Sequence, residues 1–426
     1  MSIADLAIVA ALVFGWGTLS ARLERFDVTA PITFVLAGLL LTHGPLAVLG
    51  VVPSNELIKD LAEFTLALVL FSDASRVGLH ELRADSGLYL RLLGVALPLT
   101  IALGTVLALA LAGTSIWLAL LVGAALAPTD AALGAGMMAN PLVPARIRRL
   151  INVESGLNDG IATPFVLVAL AGAAGGHAAG HGPAAAVAEL AVGAGIGVAA
   201  GGVGGLLVNA ARRRGWAAEG FGGSAVLGLA VCAYASAVAA GGNGFIAAFV
   251  AGLAFGTAGG RRGEPLVPFV EETGALVSLL VWLAFGAVAL VPALESLTWQ
   301  MVLYAILSLT VVRMAPVLVA LAGARLDWAT TILVAWFGPR GLASVVFALL
   351  ALEELGGPTA GPAVAVITIT VVLSIVAHGA TAEPLATRYA NRLARPAAGD
   401  AGAQLPDVPD RRLIRHTARR GITPHG

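Results

Sequence analysis

Apolar runs of bilayer length recur along almost the whole chain, and they decide what it can fold into. A backbone in lipid must satisfy its own hydrogen bonds, which only helices and closed barrels do. The runs are about 20 residues long, the length that carries a helix across hydrocarbon. A barrel would instead show alternating segments of about ten. The expected fold class is therefore an all-α polytopic membrane protein. Composition agrees, with 58% hydrophobic and 12% charged residues and a mean hydropathy of +0.91. The apolar runs give about 13 transmembrane helices, near 3–20, 31–50, 57–73, 87–111, 116–138, 150–172, 184–209, 222–240, 243–258, 268–291, 299–322, 328–351 and 361–382.

Arginines test that reading independently, because basic residues collect in alternate, cytoplasmic loops. Arg22 and Arg25 follow span one, Arg76 and Arg83 span three, and Arg146, Arg148 and Arg149 span five. Arg212, Arg213 and Arg214 follow span seven, Arg261 and Arg262 span nine, Arg325 span eleven, and an Arg-rich tail begins at Arg388. The loops between carry no Lys or Arg. This places the N-terminus outside and the C-terminus in the cytoplasm, with the chain multi-pass in the cytoplasmic (inner) membrane. The formal net charge of zero hides this asymmetry and is no argument for nucleic-acid binding; the basic loops face anionic lipid. The first span reads as an uncleaved helix. The lone Cys232 excludes an intrachain disulfide, and 53 glycines suggest helices packed through small residues.

One membrane domain covers residues 1–390, and residues 391–426 read as a short, disordered cytoplasmic tail. The external stretch 173–183 contains His177 and His181, whose spacing would suit a metal on a helix; the plainer reading is a flexible loop. Two spans carry helix breakers at their middles: Ala127-Pro128-Thr129-Asp130 in span five and Gly338-Pro339-Arg340-Gly341 in span twelve. They are seven spans apart and so run in opposite directions. Inverted repeats require this, pairing spans four to six with eleven to thirteen. Two broken crossing helices at matching places point to a midplane binding site, where broken ends offer carbonyls to cations and dipoles to charges.

Residues 152–159, Asn152-Val153-Glu154-Ser155-Gly156-Leu157-Asn158-Asp159, put polar groups at membrane depth. Such groups cost several kcal/mol each when unpaired in hydrocarbon, so a cluster of them marks a site that binds something polar. Asp159 lies roughly 15 Å deep at 1.5 Å per residue. Glu154 and Asn158 share one face of the helix, Ser155 and Asp159 the next. Thr129, Asp130, Ser155 and Asp159 are thus candidate oxygen ligands for a hard monovalent cation, and the carboxylates can alternatively take a proton. The intramembrane cations Arg313 and Arg340 need partners. The favoured arrangement pairs Arg313 with Glu154 and sets Arg340 against opposed helix ends, although sequence leaves that pairing open. Asp73, at the end of span three, is either a further ligand or gate, or plain interface. Lys59, Asp60 and Glu63 line the external entrance or snorkel. His378, near the inner end of span thirteen, is either a titrating group or, as a lone interfacial histidine usually is, structural.

Together the Ala127–Asp130 and Glu154–Asp159 stretches, Arg313 and Gly338-Pro339-Arg340-Gly341 resemble the monovalent cation/proton antiporter family, over about residues 5–390. The branch most similar is that of bacterial and archaeal sodium/proton antiporters related to the eukaryotic exchangers. The resemblance implies a homodimer, with an ion-carrying core (about 87–172 and 299–390) and a dimerisation part (about 1–73 and 184–291). It implies Asp159 as the essential ion and proton carrier, Asp130 and Ser155 as ligands, Thr129 as a ligand through its carbonyl, and Glu154 and Asn158 as supports. Asn158-Asp159 resembles the electroneutral branch, whose one exchanging carboxylate suggests one cation for one proton. The implied function is sodium (or lithium)/proton exchange by alternating access, serving pH homeostasis, with no organic cofactor and no enzymatic activity. Potassium/proton exchange is the alternative. An intramembrane aspartyl protease would also use two aspartates, but the Gly-x-Gly-Asp context is missing; a cation channel fits paired broken helices less well than a carrier.

Overall fold

The computed structural model describes residues 3–24, 28–43, 55–77, 85–134, 137–138, 140, 143–175 and 183–393, among which there is no strand. Arg25, Arg83, His177, His181 and residues 394–426 lie outside the described residues, as do the side chains of Arg261 and Arg262. In chain order the longer helices are α1 (Ile3–Leu23), α2 (Ala30–His43), α3 (Asn55–Arg76), α4 (Ser86–Ala112), α5 (Ile116–Ala125), α6 (Ala145–Ala173) and α7 (Pro183–Arg213). There follow α8 (Gly222–Ala239), α9 (Gly244–Gly263), α10 (Val267–Val288), α11 (Trp299–Leu321), α12 (Trp328–Trp336), α13 (Leu342–Leu355) and α14 (Gly357–Leu393). Eight of them, α1, α4, α6, α7, α8, α10, α11 and α14, are long and apolar enough to cross a bilayer; α2, α5 and α9 are shorter apolar helices.

Local chemistry sets the ends. Ser115, Thr298 and Asp327 cap α5, α11 and α12, their side-chain oxygens accepting the Leu118, Met301 and Thr330 amides at 3.3, 3.4 and 3.2 Å. α7 closes on Gly215 at φ +67, with the Trp216 N–H folded back to the Ala211 carbonyl at 2.9 Å. α4 and α11 each contain one π turn, Leu92–Ala96 and Ser308–Val312. Each lies just before a proline, Pro98 or Pro316, whose ring would strike the carbonyl four residues back; the wider turn absorbs that clash.

Some expected boundaries shift. Span five was to run to 138, but α5 stops at Ala125, because Pro128 cannot continue the hydrogen-bond ladder. The boundary at 390 falls inside α14, which continues unbroken through Leu393.

Close packing through glycine is concentrated on α7. Gly193, Gly197, Gly201 and Gly205 recur every fourth residue, and a methyl on any of them would meet α9 or the turn before it at 2.3, 2.6, 2.1 and 2.8 Å. Gly252 and Gly256 of α9 stand equally close to the Phe71 and Ser75 carbonyls of α3, and Gly38 and Gly286 join α2 to α10. Gly201→Ala is expected to lower the thermal midpoint in detergent, at a cost of about 1–3 kcal/mol for overpacking. Gly202→Ala meets nothing within 4 Å and is expected to be neutral or stabilising. Equal losses in both would refute the stripe as a contact.

α3 packs on one side against α9 and α10, and on the other against α13 and α6. α5 lies between α4 and α6. The breaks after α5 and α12 are thereby brought against the polar turn of α6.

Candidate ion-binding site

After α5 the backbone is non-helical over 126–130, and after α12 over 337–341. The two irregular stretches touch, and the Asp130 N–H donates to the Pro339 carbonyl at 2.8 Å. Glycine is required for this approach: a methyl on Gly341 would lie 2.1 Å from Asp130 Cβ, and one on Gly338 would lie 2.6 Å from Arg313 Nε.

Broken helices leave carbonyls without intrahelical partners, and here they are capped by cations and hydroxyls. Arg340 is fully buried; its Nη1 donates to the Ala127 and Pro128 carbonyls at 2.8 and 3.3 Å, and its Nη2 to the Ser308 carbonyl at 3.2 Å. Ser344 donates to the Ala125 carbonyl at 2.6 Å. Arg313, equally buried, forms a bidentate pair with Glu154 at 2.7 and 3.1 Å.

Ser155 fixes the α5 break against α6, donating to the Thr129 carbonyl at 2.7 Å and accepting the Ala131 N–H at 2.8 Å. Asn158 Nδ2 donates to Thr129 Oγ1 at 2.8 Å. Its buried Oδ1 has no hydrogen-bond partner among the described residues. Asp130 Oδ1 accepts the Ala132 amide at 2.9 Å.

A cavity of about 1840 Å³ reaches this cluster. Asp73, Asp130, Ser155 and Asp159 line it, together with Arg76 and Arg149, so it opens on the side of the arginine-rich connections. Asp73 lies against Gly156, where a methyl would come within 3.2 Å of its Cβ. Nothing among the described residues donates a hydrogen bond to the carboxylates of Asp73 or Asp159. Near the mouth Arg146 holds Asp85 through Nε and Nη2 at 3.0 and 2.7 Å, tying the start of α4 to that of α6.

Asp159, Asp130 and Ser155 thus line the cavity from the α6 side and the α5 break, and Asp73 lines it from α3. Thr129, Glu154, Asn158, Arg313 and Arg340 lie behind that lining and hold it in shape. Thr129 is buried, its carbonyl engaged by Ser155, and it does not line the cavity. Among the described residues no three His, Cys, Asp or Glu side chains are grouped to hold a metal ion. The candidate donors facing the cavity are instead carboxylate and hydroxyl oxygens, a set suited to a monovalent cation or a proton. Lys59 and Glu63 approach to 3.9 Å, and Tyr234 donates to Glu63, on the opposite end of α3 from Asp73.

His378 is buried and stacked on Trp336, with ring centroids 5.3 Å apart. Sequence reading also missed Ser344 and Ser374 as supports of the breaks. Ser374 and His378, four apart in an apolar span, were the available signal.

A family model described as "Sodium/hydrogen exchanger, transmembrane" matches residues 8–388. Rv2287 of Mycobacterium tuberculosis (strain H37Rv) and Mb2309 of Mycobacterium bovis, both described as uncharacterized Na(+)/H(+) exchangers, are each 31% identical over 212 residues. That covers 49% of this chain and 36% of each relative, so the match spans about a third of their length. Among solved structures, the sodium proton antiporter MjNhaP1 from Methanocaldococcus jannaschii at pH 8 superposes with a TM-score of 0.73 at 17% identity, covering 91% of this chain and 99% of that one. A second MjNhaP1 structure, from electron microscopy, gives 0.70 at 19% identity, with 95% and 100% covered. Family and fold are those of a transporter, and the chain belongs to the sodium/hydrogen exchanger family.

Proposed function

We propose that this protein exchanges sodium (or lithium) for protons, one for one, across the cytoplasmic membrane. The observation that carries the reading is Asp159, a carboxylate with no hydrogen-bond donor among the described residues, lining a cavity that Asp130, Ser155 and Asp73 also line. Neutral when protonated, and neutralised when it holds a cation, Asp159 crosses between barriers in either loaded form; the bare carboxylate is disfavoured at membrane depth. Exchange is then obligatory. Cation and proton leave the same net charge on Asp159, and Asn158 beside it adds none, so the cycle moves no net charge.

Alternating access follows if a core of spans four to six and eleven to thirteen moves against the remaining spans as a fixed interface in a homodimer. Asp130 and Ser155 would ligate the cation with Asp159, Thr129 would hold Ser155, and Asp73 would join from the facing helix. With the N-terminus outside, the cavity as built opens to the cytoplasm. The cycle uses no cofactor beyond the transported ions.

The test is proton release from acid-loaded proteoliposomes on adding sodium, lithium or potassium, with the membrane potential clamped and then free. Release with sodium and lithium, indifferent to potential, is the expected result. Release with potassium would move the assignment to potassium/proton exchange, and release that follows the potential would refute electroneutrality. No cation-dependent proton movement would refute the antiporter reading.

A further inference from the structure

We infer that Ser374 and His378 are positioning residues for the ion site: from one turn of α14 they hold both sides of the break between α12 and α13. The inference rests on the exchange reading above. Both side chains are fully buried and neither lines the cavity, so neither touches the ion.

The α12–α13 break has two ends. Trp336 is the last residue of α12, and Arg340 lies four residues on, inside the break. The Arg340 N–H donates to Ser374 Oγ at 2.7 Å, and His378 Nε2 is 3.2 Å from the Trp336 carbonyl. Trp336 is further fixed by stacking on His378 and by its Nε1 donating to Thr381 Oγ1 at 3.1 Å. Residues 374, 378 and 381 share one face of α14, so a single stripe grips the break from outside.

Two neutral tautomers of His378 fit these contacts, and they differ in which carbonyl the ring serves. Ser374 Oγ accepts from Arg340 and has its own hydrogen to give, and His378 Nδ1 lies 3.2 Å away. With Ser374 donating to Nδ1, the ring carries its proton on Nε2 and donates to the Trp336 carbonyl. The other tautomer would donate from Nδ1 to the Ser374 carbonyl, 2.9 Å away, and set the Nε2 lone pair against the Trp336 oxygen. Only the first joins amide, hydroxyl, imidazole and carbonyl in one line across the break.

Between those two anchors sits Pro339, whose carbonyl accepts the Asp130 N–H. The clamp on α14 therefore sets the position of Asp130, and with it the adjoining Thr129 that Ser155 engages. Loosening it displaces ligands from one another while leaving Asp159 and its proton in place. The effect belongs in the apparent affinity for the cation rather than in turnover.

His378→Ala in reconstituted protein is expected to raise the KM for sodium by about tenfold, the scale of one lost hydrogen bond at a buried site. Turnover is expected to stay within about twofold. His378→Gln, whose amide N–H can still reach the Trp336 carbonyl, is expected to recover most of the loss. Ser374→Ala, a smaller cut, carries the same expectation and decides the question if His378→Ala does not purify as folded protein. An unchanged KM in the alanine variants, or Gln no better than Ala, would overturn the inference. Absence of exchange in the unmodified protein would instead overturn the antiporter reading on which it rests.

Discussion

Asp159→Asn is expected to reduce cation-dependent proton movement in proteoliposomes to background while the protein keeps its fold. The amide matches the carboxylate in size and sits in the same buried helix face, so packing around α6 is preserved. What disappears is the group that takes either a proton or a cation. No described residue donates a hydrogen bond to the Asp159 carboxylate, so no buried donor is orphaned by the change. Removing a carboxylate from a buried position also removes a desolvation cost, and the thermal midpoint is expected to hold or rise. Asp73→Asn provides the contrast. Asp73 stands across the cavity on α3, against Gly156, as an added oxygen rather than the carrier. Its loss is expected to weaken sodium affinity and leave turnover measurable. Normal exchange in Asp159→Asn together with an inactive Asp73→Asn would transfer the carrier role to Asp73.

Long apolar runs announced the helices because lipid leaves the backbone few choices, and an all-helical membrane protein was legible from them. The prolines at 128 and 339 were visible too, and both lie in the non-helical stretches 126–130 and 337–341. Their partners were not visible. Arg340 reaches the Ala127 carbonyl across 213 residues of sequence, and the Asp130 amide meets Pro339 across a comparable distance. Periodicity reports which face of a helix is apolar, not which neighbour it meets. The same limit applies to His378: nothing in the sequence names its partner, which is the Trp336 carbonyl of the helix packed against it. Thr129 illustrates a finer gap, since its place beside Asp130 could not say whether its carbonyl faces an ion or Ser155. The π turns of α4 and α11 had a local cause, Pro98 and Pro316, but a proline inside a helix signals a kink, a break or a π turn alike.

Arg313→Met is expected to be among the most destabilising single changes, at about 3–5 kcal/mol, because it strands the Glu154 carboxylate at a site almost closed to solvent. The pair joins α6, which carries Asp159, to α11, which carries the Ser308 carbonyl used by Arg340. Its two parallel hydrogen bonds engage both carboxylate oxygens, yet Arg313 Nε is buried with no partner among the described residues, so the pair is not fully compensated for leaving water. A pair of this kind is worth little against an apolar replacement and much against a half-removed one. The double variant Glu154→Leu/Arg313→Met should therefore recover most of the stability lost in either single variant, and thermal midpoints of the four proteins in detergent measure that coupling. High salt is expected to leave the coupling nearly unchanged, since a pair this deep is poorly screened. Losses that simply add in the double variant would show that Glu154 and Arg313 act independently. In that case the tie between the α6 polar turn and the broken helices would rest on Ser155 and Asn158 alone.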